Sequence, residues 1–223
     1  MNLPFFLFVP EVRVRAVSLA MVGVLGFAPS SLAAQDASQI CAELAEYTIG
    51  QWAEYRVTAP GMEPGTLRLA LVGEEEVDGT NHLWYEMQMG SQMGPMVIQL
   101  LVPGYPYDGG EVKRAFLQMG PAPAAELPPE TLAMMRQQAG GGNMSGGAIE
   151  DCERAENVGD EEVSVPAGSF DSVHLRTTED AVYDMWVSPK VPFGVIKFVS
   201  PDRGDMVLTG SGLDAEPAIV RGM

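Results

Sequence analysis

The chain has 223 residues, 46% of them hydrophobic, and sets 13 Lys and Arg against 30 Asp and Glu for a formal net charge of −17. So acidic a surface repels nucleic acid and anionic lipid headgroups and favours solubility. Only two cysteines and two histidines are present, which leaves little material for a thiolate or imidazole metal cluster.

Residues 1–34 read as a secretory signal peptide. Arg13 and Arg15 form its positive region, and Ala16 to Ala28 is apolar apart from Ser18. That stretch is short of a comfortable bilayer span, and cleavage fits after Ala33 or Ala34. An apolar run from Leu3 to Val9 precedes the arginines, an unusual order that places the expected translation start nearer Val12. The competing reading of this region is a buried hydrophobic hairpin. No later segment reaches spanning length, so no transmembrane segment is expected in the mature chain. The expected location is outside the cytoplasm: periplasmic in a Gram-negative host, otherwise secreted. Residues 35–215 are expected to form a single β-rich domain, with 216–223 a loose tail.

Cys41 and Cys152 are most simply a disulfide in an exported protein, with two free thiols as the alternative. Cys41 is not a lipid-attachment site, because SQI precedes it and it lies well beyond the apolar run. Residues 36–49 look like a short helix. Asp36 or Ser38 caps it, Ile40, Leu44 and Tyr47 share one face, and Gly50 ends it.

Strand-like runs follow, each alternating with period two. In QWAEYRV, Ala53, Tyr55 and Val57 oppose Trp52, Glu54 and Arg56. In TLRLALV, Leu67, Leu69 and Leu71 share a face, and in NHLWYEMQM so do Leu83, Tyr85, Met87 and Met89. PMVIQLLV is continuously apolar and is expected to be buried on both faces, and EVKRAFLQM is a shorter run. Pro60-Gly61, Asp78-Gly79, Gly94-Pro95, Pro103-Gly104 and Gly109-Gly110 mark the turns. Strands at this spacing without long intervening helices indicate an antiparallel meander.

Residues 120–147 interrupt the pattern. A Pro-rich loop leads into PPETLAMMRQQ, expected as a helix near 129–138, and then into the glycine tract AGGGNMSGG. Such an insertion could lie across an open sheet face as a lid, with Met134 and Met135 closing on it. The sheet resumes near residue 160 and brings the total to about nine strands.

The best-patterned stretch is 163–199: V-S-V-P-A-G-S-F-D, then an alternating strand, then W-V-S-P-K-V-P-F-G-V-I-K. It resembles uncharacterised bacterial exported proteins that share the curved half-barrel of the lipoprotein carriers LolA and LolB. GQWAEYRV and HLWYEMQM look like early strands of the same group. The resemblance implies a mainly β fold in which a curved antiparallel sheet wraps around helices. It also implies an apolar cavity of the kind that accepts acyl chains in the carriers. No functional residue of the carriers is matched to a position in this chain.

Candidate chemistry is sparse. Met87, Met89, Met93 and Met96 form a soft thioether group that suits Cu(I), although flexible methionines equally suit an adaptable apolar lining. His82 and His174 lack a ligand spacing. Glu74 to Glu76 and Glu161-Glu162 are consecutive and read as solvated runs rather than an acid–base pair. Gly210-Ser211-Gly212 lacks the strand–turn–helix setting of a nucleophilic serine, and Arg203-Gly204-Asp205 reads as a turn.

The sequence therefore points to a non-enzymatic exported protein, without a cofactor and monomeric. A lipid or a lipoprotein acyl chain is the expected partner. The expected cavity residues are Leu67, Leu69, Leu71, Leu83, Tyr85, Met87, Met89, Met185 and Trp186. A structural envelope protein without ligand and a Met-rich copper binder are the alternatives.

Overall fold

A computed structural model describes residues 37–91, 94–105, 112–138, 152, 154–177 and 182–221. The expected signal peptide, Met93, the glycine tract and the Met135 side chain lie outside what is described. The order of elements is α1 (Ala37–Leu44), β1 (Trp52–Thr58), β2 (Gly65–Val77), β3 (Thr80–Ser91), β4 (Gly94–Val102), β5 (Arg114–Met119) and β6 (Ala125–Glu126). It continues with α2 (Pro129–Gln138), β7 (Glu156–Val165), β8 (Gly168–Thr177), β9 (Tyr183–Val187), β10 (Val195–Ser200) and β11 (Gly204–Gly212).

All eleven strands belong to one curved antiparallel sheet, ordered β6-β5-β4-β3-β2-β1-β11-β10-β9-β8-β7. Two meanders, β1–β6 and β7–β11, are therefore stitched together by the first and last strands. Trp52 pairs with Gly212 and Tyr55 with Leu208 across that seam. The sheet does not close, since β6 and β7 remain its edges. Both edges are guarded against further pairing. β6 has only two residues, and β7 carries exposed Glu156, Asp160, Glu161 and Glu162. The acidic run at 160–162 lies inside β7 because its partners Val173, Ser172 and Asp171 continue the ladder there.

Local chemistry sets the corners. Val77 pairs with Thr80 around Asp78-Gly79, whose φ values of 53° and 76° are those of a two-residue hairpin turn. Helix α1 stops at Leu44, short of the expected 49, and Gln51 Oε1 accepts from the Thr48 N–H just beyond it. Ile40 and Leu44 are buried as expected, whereas Tyr47 lies past the helix end and is exposed. Helix α2 spans the predicted residues, and Leu132 anchors it. Cys41 and Cys152 are joined by a disulfide that ties α1 to the segment before β7.

Both helices lie on one face, which is called the helix face below. Ile40, Cys41 and Leu44 pack with Tyr55, Leu175, Met185 and Leu208, while Leu132 packs with Leu71, Tyr85 and Leu100. The corner between β9 and β10 joins these two clusters. Phe193, at a φ of 62°, meets Tyr85 and Tyr105 edge-on with ring centroids 5.9 and 5.8 Å apart. Gly194 follows, with a φ of 73°, where an added Cβ would stand 2.2 Å from Leu44 Cδ2. A side chain there would push α1 off the sheet.

The opposite face, called the tail face, carries a third cluster of Ala70, Val72, Trp84, Val97, Leu101, Phe116 and Ile219. Ile219 belongs to the segment expected to be a loose tail. Its burial, and the hydrogen bonds of Ala218 and Arg221 described below, hold that segment against the sheet. The continuous run in β4 is explained by these two covers, because residues 97–102 are buried on both sides.

Candidate functional site

Register turns the predicted cavity residues into rows across β2, β3, β4 and β5. The innermost row is Leu71–Tyr85–Leu100–Ala115, the next is Leu69–Met87–Ile98–Leu117, and the outermost is Leu67–Met89–Met96–Met119. All three point to the helix face, and burial falls steadily along them. The first row is fully buried beneath Phe193 and α2. In the second, Met87 and Ile98 are buried while Leu69 and Leu117 are half-buried. In the third, Leu67, Met89 and Met96 are half-buried and Met119 is 61% exposed. One half of this face is thus filled by the protein itself. The other half is an apolar floor with water access, rich in methionines whose unbranched thioethers adapt to irregular contacts.

Leu83 and Met185 also face this side, but Met185 lies in the α1 cluster, separated from β2 by three strands. Trp186 is corrected: it points to the tail face. Consecutive strand residues alternate, so Met185 and Trp186 cannot share a face. Its indole stacks on His174, with centroids 4.4 Å apart, has Lys197 Nζ 4.6 Å from its ring, and donates from Nε1 to Glu161 Oε1. His174 Nε2 meets Asp184 Oδ1 at 2.7 Å, and Arg176 Nε donates to the same oxygen at 2.7 Å. Partial burial pushes the Asp184 carboxyl up, but the hydrogen bonds from Arg176 and His174 outweigh it and hold that group below the usual aspartate range. The cluster is a set of paired charges around one indole.

Met87, Met89 and Met96 do converge on one face, and Met89 is the direct cross-strand partner of Met96. Their neighbours are Leu67, Leu69, Ile98 and Leu117, an apolar setting that suits the lining role. Among the described residues no group of three or more His, Cys, Asp or Glu is placed to hold a metal ion.

Alternation on β1 placed Tyr55 on this face, but nothing local to it indicates that its hydroxyl is buried beside that of Tyr85. Neither hydroxyl has a hydrogen-bond partner among the described residues. Burial pushes both phenols far above their ordinary range, and nearby Tyr105 adds to the rise. A groove of about 530 Å³ opens beside the end of α1, between Glu43, Tyr47 and Gln51 on one side and Lys190 and Phe193 on the other.

Also missed was the polar latch on the tail face. Glu86 is fully buried and accepts from Gln88 Nε2 at 2.7 Å, from Gln99 Nε2 at 2.5 Å and from the Ala218 N–H at 2.9 Å. Buried Gln99 also donates to the Ile219 carbonyl at 3.2 Å and accepts from Arg221 at 3.0 Å. The Arg221 guanidinium lies 4.2 Å from the Trp84 ring, and Trp84 Nε1 donates to Glu75.

Among the described residues no helix is long and apolar enough to cross a membrane. No known protein family matches the sequence, and no curated protein matches it. Solved structures are similar in part, two of them as follows. One is a candidate lipoprotein from Parabacteroides distasonis ATCC 8503, with TM-score 0.38 and 10% identity over 76% of this chain and 98% of that chain. The other is a candidate exported protein with YmcC-like fold from Bacteroides fragilis NCTC 9343, with TM-score 0.37 and 12% identity over 74% of this chain and 96% of that chain. At these scores the likeness carries no conclusion about function.

Proposed function

We propose that this is an exported, non-enzymatic binding protein that holds an apolar ligand, a lipid or acyl chain, against the open half of the helix face. The observation that carries the reading is the burial gradient ending in Leu67, Met89, Met96 and Met119. Half-exposed apolar rows beside a filled core are what an acyl chain would cover, each methylene contributing about 0.8 kcal/mol as it leaves water. The leader-like sequence and the disulfide both support export.

The test is binding of a fluorescent fatty-acyl probe, combined with native mass spectrometry of protein purified from its own host. Saturable probe binding is expected, and Met89→Asp should weaken it more than tenfold, because a carboxylate would then sit under the chain. Met89 is half-buried, so the variant should keep its fold. Probe binding unchanged by the substitution would refute the assignment of the site. A second reading, a ligand-free envelope protein, is favoured by the solid packing of the Leu71–Tyr85–Leu100–Ala115 row. It requires that the wild type bind no probe and carry no lipid.

A further inference from the structure

The geometry points to a peptide-docking site on the tail face, filled in cis by residues 218–221 and suited to an extended segment of a partner protein in which an apolar residue and an Arg stand two positions apart, as Ile219 and Arg221 do. The segment is read as extended peptides are. Ile219 is buried, Val220 points outward at 88% exposure, and Arg221 turns back onto Trp84. Its main chain is held from both sides: Glu86 accepts the Ala218 N–H and Gln99 donates to the Ile219 carbonyl. Those contacts are indifferent to sequence, whereas the pockets on either side of Val220 are selective. The first is apolar, made by Ala70, Val72, Val97 and Leu101. The second offers the Trp84 ring and Gln99 Oε1 to a guanidinium; burial and nearby Arg114 oppose its charge and hold it below its ordinary range, while the carboxylates of Glu75 and Glu86 attract it.

A sheet packed only for stability has no need of two fully buried polar side chains on one face. Here Glu86 and Gln99 bind each other, and each makes a further hydrogen bond to the backbone of a segment more than a hundred residues away. The site is independent of the apolar floor, which lies on the other side of the same strands.

The test uses full-length Ile219→Asp/Arg221→Glu, which releases the tail, and an N-terminally fluorescein-labelled peptide with the sequence of residues 216–223. Anisotropy should show saturable binding to this variant and at least tenfold weaker binding to the wild type, whose own tail competes. Peptides carrying Ala in place of Ile219 or of Arg221 should bind more than tenfold more weakly. A released-tail variant that is folded by circular dichroism but binds no peptide would overturn the proposal, as would equal binding of a scrambled peptide. If the double variant does not fold, Arg221→Ala alone gives the same readout. It should bind the labelled peptide more tightly than the wild type, and equal binding would overturn the proposal.

Discussion

Removing the Cys41–Cys152 bond should cost several kcal/mol of stability. The bond closes a loop with a sequence separation of 111. On the chain-entropy model a loop of that length restricts the unfolded chain by about 4.8 kcal/mol at 25 °C. A local effect acts in the same direction. Helix α1 has eight residues, below the length at which an isolated helix holds together. It stays in place through the disulfide, Ile40 and Leu44, the last seated against Gly194. Without the bond, α1 can lift away and wet Ala53 and Tyr55 beneath it. Cys41→Ala/Cys152→Ala, followed by urea unfolding, should lower stability by about 3–5 kcal/mol. With an m-value near 2 kcal/mol/M, this moves the midpoint down by roughly 2 M. The reduced wild type should behave like the double variant. A loss below about 1 kcal/mol would show that the covalent tie restrains neither the unfolded chain nor α1, and the reasoning would fail.

Gly204→Ala should destabilise by at least about 2 kcal/mol in the same assay, because the residue has a φ of +91° and a Cβ there would lie 1.9 Å from the Thr58 carbonyl oxygen. Tyr85→Phe should do the opposite of most core substitutions. It removes a buried hydroxyl with no partner among the described residues, so thermal unfolding should show unchanged stability or a gain of up to about 1 kcal/mol.

The parts of this fold that were legible in the sequence are those written locally. Period-two alternation assigned Leu67, Leu69, Leu71, Leu83, Tyr85, Met87 and Met89 to one face, and register places all seven there. Pro129 near the first turn of PPETLAMMRQQ marked α2, and the doubly apolar β4 announced burial on both sides. What escaped was non-local. The pairing of β1 with β11 joins residues more than 140 positions apart, and no neighbouring residue signals it. Glu86 alternates with Tyr85 and Met87, and no neighbouring residue marks it as buried. Only the arrival of Ala218 and Ile219 makes it an interior carboxylate. The tail was expected to be loose for the same reason, since Ile219, its single buried side chain among the described residues, sits in a stretch with no periodicity. Trp186 was misplaced by a different error: it was grouped with Met185 as a cavity residue, although the alternation already present in YDMWV puts the two on opposite faces.

The charges of the strands bear on what the open floor can hold. Arg56, Arg68, Arg114, Arg176 and Lys197 are the Lys and Arg residues within the described strands, and each alternates with, or pairs beside, residues that place it on the tail face. Several are already engaged there: Arg68 over Trp52, Arg114 with Glu75 and Glu126, Arg176 with Asp184 and Lys197 over Trp186. The floor of Leu67, Met89 and Met96 therefore has no strand cation to offset a buried anion. An ionised carboxylate or phosphate drawn onto it would lose its hydration without compensation, at a cost far above the gain from a few methylenes. On the proposed reading, a lipid would lie with its chain along the methionine row and its charged head held out in water beyond Met119. Affinity should then grow with chain length and respond weakly to headgroup charge, the pattern expected of a surface that recognises hydrocarbon.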